Sequence, residues 1–228
     1  MKPDEYEDYA EVFDFFSRYM RPDHLPAFFE KVARLLPEGA LLVDVGGGTG
    51  FYTRQLLDLR PDLRLTFVEP APEMMAQARA RLGDAPVFLE ELFTQALPEL
   101  GVQDVFLFCR SLYAFYGEHG AYQAMFDRLY HHVSPGGLLV IWEFNQRMDL
   151  RREFKYYGAQ TVSQPDVFEQ FLRKWPVLRK AMMAFNEKVE AGIYTLFGKG
   201  ELDAILVEAG FSSVESDGNV YIYRKPSE

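Results

Sequence analysis

A short apolar run that leads into a cluster of glycines is the feature that most constrains how this chain can fold. Residues 40–45 read Ala-Leu-Leu-Val-Asp-Val, and residues 46–50 read Gly-Gly-Gly-Thr-Gly. The run is too short for a helix and is bounded by turn-forming residues, so it predicts a buried strand of a parallel sheet. Glycines adopt backbone angles that other residues avoid, and they let a ligand approach the main chain closely. With a helix predicted over residues 51–59, whose first N–H groups are free, the segment predicts a strand, a ligand-binding turn and a helix.

The alternation of strands and helices continues along the chain. Further strands are predicted over residues 64–68, 86–89, 104–108 and 138–142. Helices are predicted between them over 72–82 and 122–133, and the Pro-Gly-Gly sequence at 135–137 predicts a turn. Strands that alternate with helices at this spacing form a parallel sheet with helices on both faces, so we expect a doubly wound, Rossmann-like α/β fold.

Helical segments flank and interrupt this core. Helices are predicted over residues 4–20 and 25–36. Residues 145–200 are largely helical and aromatic, and Pro165 and Pro176 are expected to divide them into short helices. This segment has ten Lys and Arg against six Asp and Glu, so it is positive in an otherwise acidic chain. A helix and two strands are then predicted over 201–210, 211–215 and 220–224, so the sheet is expected to resume after an insertion.

Charge and composition exclude several classes of partner. The chain has 24 Lys and Arg against 34 Asp and Glu, a net charge of −10, and such a field repels nucleic acids and anionic membranes. Cys109 is the single cysteine, which excludes an intrachain disulfide and suits a reducing compartment. The first residues are acidic, and no long apolar run that could act as a signal or span a membrane is present. We therefore expect a cytoplasmic protein without a nucleic acid or membrane partner.

The spacing of the glycines excludes two common phosphate-binding motifs. A dinucleotide-binding loop has the pattern Gly-x-Gly-x-x-Gly, whose third glycine would fall at Phe51 or Thr53. A P-loop requires a lysine after its last glycine, and no lysine occurs between Lys31 and Lys155. What remains is a glycine loop followed by Glu69 at the end of the second strand, where an acid can accept hydrogen bonds from both hydroxyls of a ribose. A nucleoside that carries an amino acid therefore fits better than a nucleotide.

Four segments together resemble the class I S-adenosylmethionine-dependent methyltransferases, in their small-molecule branch. The matching segments lie at residues 43–50, 67–74, 133–137 and 208–211, and they read VDVGGGTG, FVEPAPEM, VSPGG and EAGF. The resemblance covers residues 40–144 and 201–225. It implies a mostly parallel seven-stranded sheet with an antiparallel last strand, S-adenosylmethionine as cofactor and S-adenosylhomocysteine as product. It also implies one methyltransferase domain over 1–228, with a helical lid over 1–38, a core of 39–144 and 201–228, and a substrate cap at 145–200.

The resemblance assigns roles around the cofactor to particular residues. The glycines of the loop would pass beneath the methionine part, Asp44 would orient the loop or reach the amino group, and Glu69 would hold the ribose. Pro70 and Met74 would flank the adenine, and Glu91, or Phe93 if the register shifts, would contact it. The full set that the resemblance places at the cofactor is Asp44, Gly46, Gly47, Gly48, Gly50, Glu69, Pro70, Met74, Glu91, Leu92, Phe93, Cys109, Arg110, Tyr9 and Tyr19.

Several of these residues also have a purely structural interpretation. The glycine loop could be a tight turn without a ligand, and Glu69 could cap the helix that follows it. Glu91 could be a surface acid. Tyr9 and Tyr19 lie in an aromatic face that could serve packing alone, although the family often uses such a helix as a lid with a tyrosine near the cofactor carboxylate.

Methyl transfer from a sulfonium needs alignment more than acid–base chemistry. The leaving group is already activated, so the enzyme has to align the nucleophile, the methyl group and the sulfur in a water-poor pocket. A base is needed only if the acceptor must lose a proton, and His119 is the candidate for that role, with Tyr113 and Glu143 as further catalytic candidates. Arg110 could pair with an acidic acceptor or brace Glu143. The segment after the fourth strand, 109–113, lacks a carboxylate pair for a divalent cation, so no metal is expected.

The acceptor is expected to be a small molecule methylated at O, N or C. Aromatic residues of the 145–200 segment are candidates for its walls: Phe154, Tyr156, Tyr157, Phe168, Phe171, Trp175, Phe185 and Tyr194. They could equally form a helical layer that packs on the sheet. The alternative function is a catalytically silent S-adenosylmethionine-binding module with a regulatory or interaction role. Either form could be a monomer or a homodimer.

Overall fold

Seven strands form one sheet in the computed structural model of the chain, which describes residues 10–19, 25–115, 119–217 and 219–227. The strands are β1 Leu41–Val45, β2 Arg64–Val68, β3 Val87–Leu89, β4 Gln103–Cys109, β5 Val133–Trp142, β6 Ser212–Asp217 and β7 Val220–Arg224. Their order is β3-β2-β1-β4-β5-β7-β6, and β7 is antiparallel to both of its neighbours. The predicted Rossmann-like sheet with an antiparallel last strand is confirmed.

Nine α-helices connect or flank these strands in the described ranges. They are α1 Ala10–Tyr19, α2 Leu25–Leu35, α3 Phe51–Leu59, α4 Pro72–Leu82, α5 Phe93–Ala96, α6 His119–His132, α7 Leu150–Thr161, α8 Pro165–Glu190 and α9 Glu201–Glu208. Short 3₁₀ turns follow α5 and β4, at Leu97–Glu99 and Leu112–Ala114. Of these described helices, none is long and apolar enough to cross a membrane.

Both faces of the sheet are buried because side chains alternate along each strand. In β4, Phe106 and Phe108 point to one face and pack with residues of α6 and α9. Val105 and Leu107 point to the other face and pack with residues of α2, α3 and α4. This double burial explains why the central strands read as continuous apolar runs.

Helix α1 packs on the helices of the 145–200 segment rather than on the sheet. Phe15 and Phe16 of α1 form a hydrophobic cluster with Phe171 of α8, and Tyr157 of α7 packs against it. Asp14 on the same helix accepts a hydrogen bond of 2.5 Å from Thr49 Oγ1 and pairs with Arg81, which also donates to the Thr49 carbonyl. These contacts fix α1 to the glycine loop.

Two local predictions are wrong. Pro165 lies in the first turn of α8, but Pro176 lies inside this 26-residue helix and does not end it. A helix can continue through a proline when tertiary contacts on both sides outweigh the lost backbone hydrogen bond. Trp175 and Leu178, on either side of Pro176, pack against the hydrophobic cluster that contains Phe15 and Phe16 of α1. The predicted turn at 135–137 is an irregularity within β5, since the pairing with β4 shifts between Val133 and Leu138.

Candidate functional site

The glycine loop begins where β1 ends at the carboxyl edge of the sheet. Gly46 N donates to Val68 O at 2.8 Å, which ties the loop to the end of β2. Gly50 N donates to Gly47 O at 3.0 Å and closes the turn before α3. Gly46, Gly48 and Gly50 all have positive φ, at 65°, 60° and 72°, a conformation that favours glycine. The loop therefore forms the predicted connection between a buried strand and a helix.

Gly47 and Gly48 of the loop differ in what surrounds them. A Cβ on Gly47 would lie 2.2 Å from Cε2 of the buried Phe67 ring, so the backbone approaches β2 too closely for any side chain. A Cβ on Gly48 would meet nothing within 4 Å. The backbone at Gly48 therefore borders open space, where a ligand can lie against the main chain.

Glu69 links the loop to the start of α4. Its Oε2 accepts a hydrogen bond of 2.9 Å from Gly48 N, and its Oε1 accepts one of 2.9 Å from Ala71 N. Burial raises the pKa of Glu69 to about 7, although these two backbone N–H groups favour its charged form. Each carboxylate oxygen keeps a second lone pair, so Glu69 can still accept two hydrogen bonds from a ligand.

Asp44 lies beneath the loop, and it is 1% exposed. Its Oδ2 accepts a hydrogen bond from Thr53 Oγ1 in α3, whereas its Oδ1 is buried without a hydrogen-bond partner. Burial raises the pKa of Asp44 to about 7, offset in part by Thr53 and reinforced by the nearby Glu69. A buried carboxyl oxygen without a partner is costly, and a cationic or N–H-bearing ligand above the loop would relieve that cost.

A cavity of about 450 Å³ opens above these residues. This volume lies in the range of roughly 300–1,000 Å³ that is typical of sites for small molecules. Its walls come from the glycine loop, the segments that follow β2, β3 and β4, the beginning of α6 and one residue of α1. The lining residues are Ser17 and those at 46–49, 51–52, 68–71, 74, 92–94, 97, 109–111, 113–115, 121–122, 124–125 and 128.

The cavity brings together most of the residues predicted at the cofactor or as catalytic groups. Those that line it are Gly46, Gly47, Gly48, Glu69, Pro70, Met74, Leu92, Phe93, Cys109, Arg110 and Tyr113. Asp44, Gly50 and Tyr19 do not line it. Tyr9 lies outside the described residues, and so does the side chain of His119, the residue with which α6 begins.

Glu91 does not line the cavity, and its contact with the adenine stays a prediction. The chain turns at Leu92, which precedes the first residue of α5, and this turn brings Leu92, Phe93 and Thr94 to the wall instead. The competing choice, Phe93, is buried and packs edge-on against Phe106 and Phe108.

Glu143, a catalytic candidate, is buried and does not line the cavity, and its catalytic role stays a prediction. Its Oε2 accepts from Tyr113 N at 3.1 Å, and its Oε1 accepts from Phe144 N at 2.7 Å. Burial raises the pKa of Glu143 to about 7. These contacts indicate that Glu143 joins the end of β5 to the turn after β4, which is a structural role. Burial raises the pKa of the Cys109 thiol well above its usual value, which disfavours the thiolate.

The aromatic residues of the 145–200 segment do not line the cavity, which favours the alternative that they serve packing over the alternative that they form acceptor walls. Phe154, Phe168, Phe171 and Trp175 contact one another, Tyr157 packs on Phe16, and Tyr156 packs on Tyr157. Phe185 and Tyr194 each pack edge to face with Tyr113. Phe171 and Phe185 are buried, whereas Phe154 and Tyr156 are more than a third exposed. The rings therefore form two packing clusters, one with α1 and one with Tyr113, rather than the cavity wall.

Other wall residues were not predicted from the sequence. Tyr52 follows the glycine loop in the first turn of α3, and Tyr122, Met125 and Arg128 lie on one face of α6. The helical spacing of the α6 residues predicts that they share one face of the helix. It does not predict that this face borders a cavity. The position of Tyr52 directly after the loop was the one available signal.

Comparison with known proteins agrees with this geometry. Residues 43–139 match the model of a family described as methyltransferase domain. Over 54 residues the chain is 41% identical to a malonyl-[acyl-carrier protein] O-methyltransferase of Anoxybacillus flavithermus (strain DSM 21510 / WK1), a match that covers 24% of this chain and 21% of the relative. Over 113 residues it is 31% identical to a trans-aconitate 2-methyltransferase of Variovorax paradoxus (strain S110), covering 49% of this chain and 42% of the relative. The chain thus aligns with less than half the length of either relative.

The fold is shared with solved structures at low sequence identity. The cyclopropane synthase MmaA2 from Mycobacterium tuberculosis superposes with a TM-score of 0.60 at 13% identity. That alignment covers 94% of this chain and 76% of the synthase. At this identity the likeness concerns the fold alone.

Proposed function

We propose that this chain is a class I S-adenosylmethionine-dependent methyltransferase that binds S-adenosylmethionine in the cavity and methylates a small-molecule acceptor. The observation that carries the proposal is the position of Glu69. This buried carboxylate lines the cavity at the end of β2, is held by Gly48 of the glycine loop, and keeps lone pairs for two ligand hydroxyls. Ligands of open α/β sheets bind at this edge.

The lining residues fit each part of this cofactor. Glu69 would hold the ribose, and Gly46 to Gly48 would lie beneath the methionine part, with Asp44 orienting the loop from below. Pro70 and Met74 would contact one side of the adenine, and Leu92 and Phe93 the other. The open space at Gly48 and the unpartnered Oδ1 of Asp44 support this placement.

The remaining residues predicted at the cofactor differ in their position relative to the cavity. Cys109 lines the cavity at the end of β4 and would border the methionine part. Arg110 lines the cavity beside it, where its side chain could face either the cofactor or the acceptor. Gly50 and Gly47 would act by shaping the loop. Tyr19 lies on α1 and is not a lining residue, although Ser17 of the same helix is. The contacts of Tyr19, Tyr9 and Glu91 with the cofactor stay predictions.

The described lining residues would supply orientation and exclusion of water, and His119, whose side chain lies outside them, stays the predicted base. When bound, S-adenosylmethionine would supply a methyl group on a sulfonium. Transfer of this group to a carboxylate oxygen would form an oxygen–carbon bond and leave the electron pair of the broken carbon–sulfur bond on sulfur. No proton would be released. Among the described lining residues Glu69 is the only acid, and His and Lys are absent. An acceptor that needs no base, such as a carboxylate, is therefore favoured. The names of both relatives, which refer to malonyl and trans-aconitate acceptors, support the same class.

Methyl transfer is tested by incubating the protein with S-adenosylmethionine labelled in its methyl group and a panel of mono- and dicarboxylic acids. Mass spectrometry should detect labelled methyl ester and S-adenosylhomocysteine in equal amounts. A protein that binds S-adenosylhomocysteine but methylates no acid, amine, phenol or activated carbon would be the silent binding module instead. A protein that binds neither form of the cofactor would contradict the proposal.

The affinity for S-adenosylhomocysteine should depend on pH through Glu69. Burial raises the pKa of Glu69 to about 7 in the free protein, and a ligand that donates hydroxyl groups binds its charged form. Binding must then release a proton below that pKa, so the affinity should rise about tenfold from pH 6 to pH 8. Calorimetric titrations in buffers of different ionisation enthalpy measure both effects.

The Glu69→Gln variant is the control for this pH dependence. It cannot titrate at this position, so its weaker affinity should change less than that of the wild type over the same range. The change that remains is the part due to Asp44, whose pKa burial also raises to about 7. A wild-type affinity that does not change between pH 6 and pH 8 would contradict the assignment of Glu69 to the ribose.

A further inference from the structure

Two aromatic rings hold the side chain of Arg110 in the cavity wall. Its guanidinium carbon lies 4.2 Å from the centre of the Trp142 ring and 4.8 Å from that of Phe144. Within the described ranges, no carboxylate forms an ion pair with it. Contacts with ring faces leave the N–H groups at the edge of a guanidinium available for a planar anion.

The backbone of Arg110 is strained in a way that fixes this position. Its φ is +54°, and it is the one non-glycine residue with positive φ in the described part of the chain. Its N–H donates to Trp142 O at 2.7 Å, which anchors it to the end of β5. Strain of this kind persists only where surrounding contacts enforce it, and it is concentrated at functional sites.

Tyr52 presents a second donor beside the same indole ring. Its ring meets Trp142 edge to face, with centroids 5.2 Å apart at 83°. Tyr52 is 8% exposed and lines the cavity, and its hydroxyl is buried without a hydrogen-bond partner. Leaving a buried hydroxyl unpaired is unfavourable, so the group is poised for a partner that the free protein lacks.

Arg110 interacts with Glu143 through its charge but does not pair with it: burial raises the pKa of Glu143, and the charge of Arg110 offsets part of that rise. Both oxygens of Glu143 accept hydrogen bonds from backbone N–H groups, and no ion pair joins Glu143 to the guanidinium. Arg110 lines the cavity, whereas Glu143 lies behind the wall. The cation therefore faces the ligand space.

We propose that Arg110 and Tyr52 form a subsite that binds a carboxylate of the methyl acceptor. The inference rests on the proposed function and names the substrate class of the same cavity. The guanidinium would bind the carboxylate through two N–H groups, and the Tyr52 hydroxyl would donate to one of its oxygens. Trp142 would orient both donors, since it contacts each of them.

The subsite is tested by calorimetry on the protein saturated with S-adenosylhomocysteine. The probes are benzoate, phenylacetate, succinate and glutarate, each compared with its neutral amide. At least one acid should bind tenfold or more tightly than its amide. Arg110→Gln should abolish that preference, and Tyr52→Phe should weaken binding of the acid about threefold to tenfold. Arg152→Gln removes the same charge from the exposed surface of α7 and should change nothing.

Three outcomes would overturn the inference. If no acid binds better than its amide, the cavity does not select carboxylates. If Arg110→Gln, with wild-type circular dichroism, weakens S-adenosylhomocysteine itself tenfold or more, the guanidinium binds the carboxylate of the cofactor instead. If the wild-type protein fails to bind S-adenosylhomocysteine before any acid is added, the proposed function fails together with this subsite.

Discussion

Glu69→Gln is expected to weaken the binding of S-adenosylhomocysteine about 100-fold. The two carboxylate oxygens face backbone donors on opposite sides, Gly48 N at Oε2 and Ala71 N at Oε1. An amide in this position must therefore place its NH₂ group against one N–H, whichever way it is turned. It also loses the charge and one acceptor for the ribose hydroxyls. Charge-assisted hydrogen bonds contribute about 1.5–3 kcal/mol each, so a total loss of about 3 kcal/mol gives the expected factor.

The control for this variant is Glu90→Gln, which makes the same change at an exposed position just after β3. Its affinity should stay within twofold of wild type. Because Glu69 also connects the loop to α4, the thermal midpoint of both variants must be measured. An unchanged midpoint shows that weaker binding reflects the lost ribose contact and not an unfolded protein. Wild-type affinity in a folded Glu69→Gln protein would show that the ribose binds elsewhere.

Gly47→Ala is expected to lower the unfolding free energy by about 3 kcal/mol, a large effect for one methyl group. The new Cβ would lie 2.2 Å from Cε2 and 2.5 Å from Cζ of Phe67, and 2.7 Å from Oδ2 of Asp44. Phe67 is fully buried in β2 and cannot move aside without displacing its neighbours. For a chain of this length the thermal midpoint should fall by roughly 6–12 °C.

Gly48→Ala is the matched control, because its Cβ would meet nothing within 4 Å. This variant should lose only about 1 kcal/mol of unfolding free energy, from the strain of an alanine at positive φ. Its methyl group should weaken ligand binding, because it occupies the space where the ligand lies. Phe67→Leu should restore part of the stability lost in Gly47→Ala, a coupling that a double-mutant cycle detects. Equal stability of the Gly47 and Gly48 variants would contradict the packing described for the loop.

The elements with strong local signals could be predicted from the sequence. Helix α4 begins at Pro72, a favoured first residue of helices, and ends before Gly83, which has a positive φ of 77°. Strand β2 covers residues 64–68 as predicted, because its apolar run is closed by Pro70. The glycine loop and Glu69 could be placed together because each ends a neighbouring parallel strand.

Features that depend on contacts between distant segments could not be predicted. Pro176 remains helical because α1 packs against α8, and no local pattern reports that contact. Tyr52 and Arg110 lie 58 positions apart in the sequence and meet only through Trp142. The aromatic residues of α7 and α8 have the composition of a pocket wall, but composition does not tell which face of a helix meets a cavity.

The most direct test of the central claim is a crystal structure of the protein grown with S-adenosylhomocysteine. We expect the ligand in the cavity, with both ribose hydroxyls within hydrogen-bond distance of Glu69. The adenine should lie between Met74 and the Leu92–Phe93 turn, and the sulfur should face the space beside Arg110. A saturated crystal with an empty cavity, or with the ligand bound away from Glu69, would contradict the claim that this cavity is the methyl-donor site.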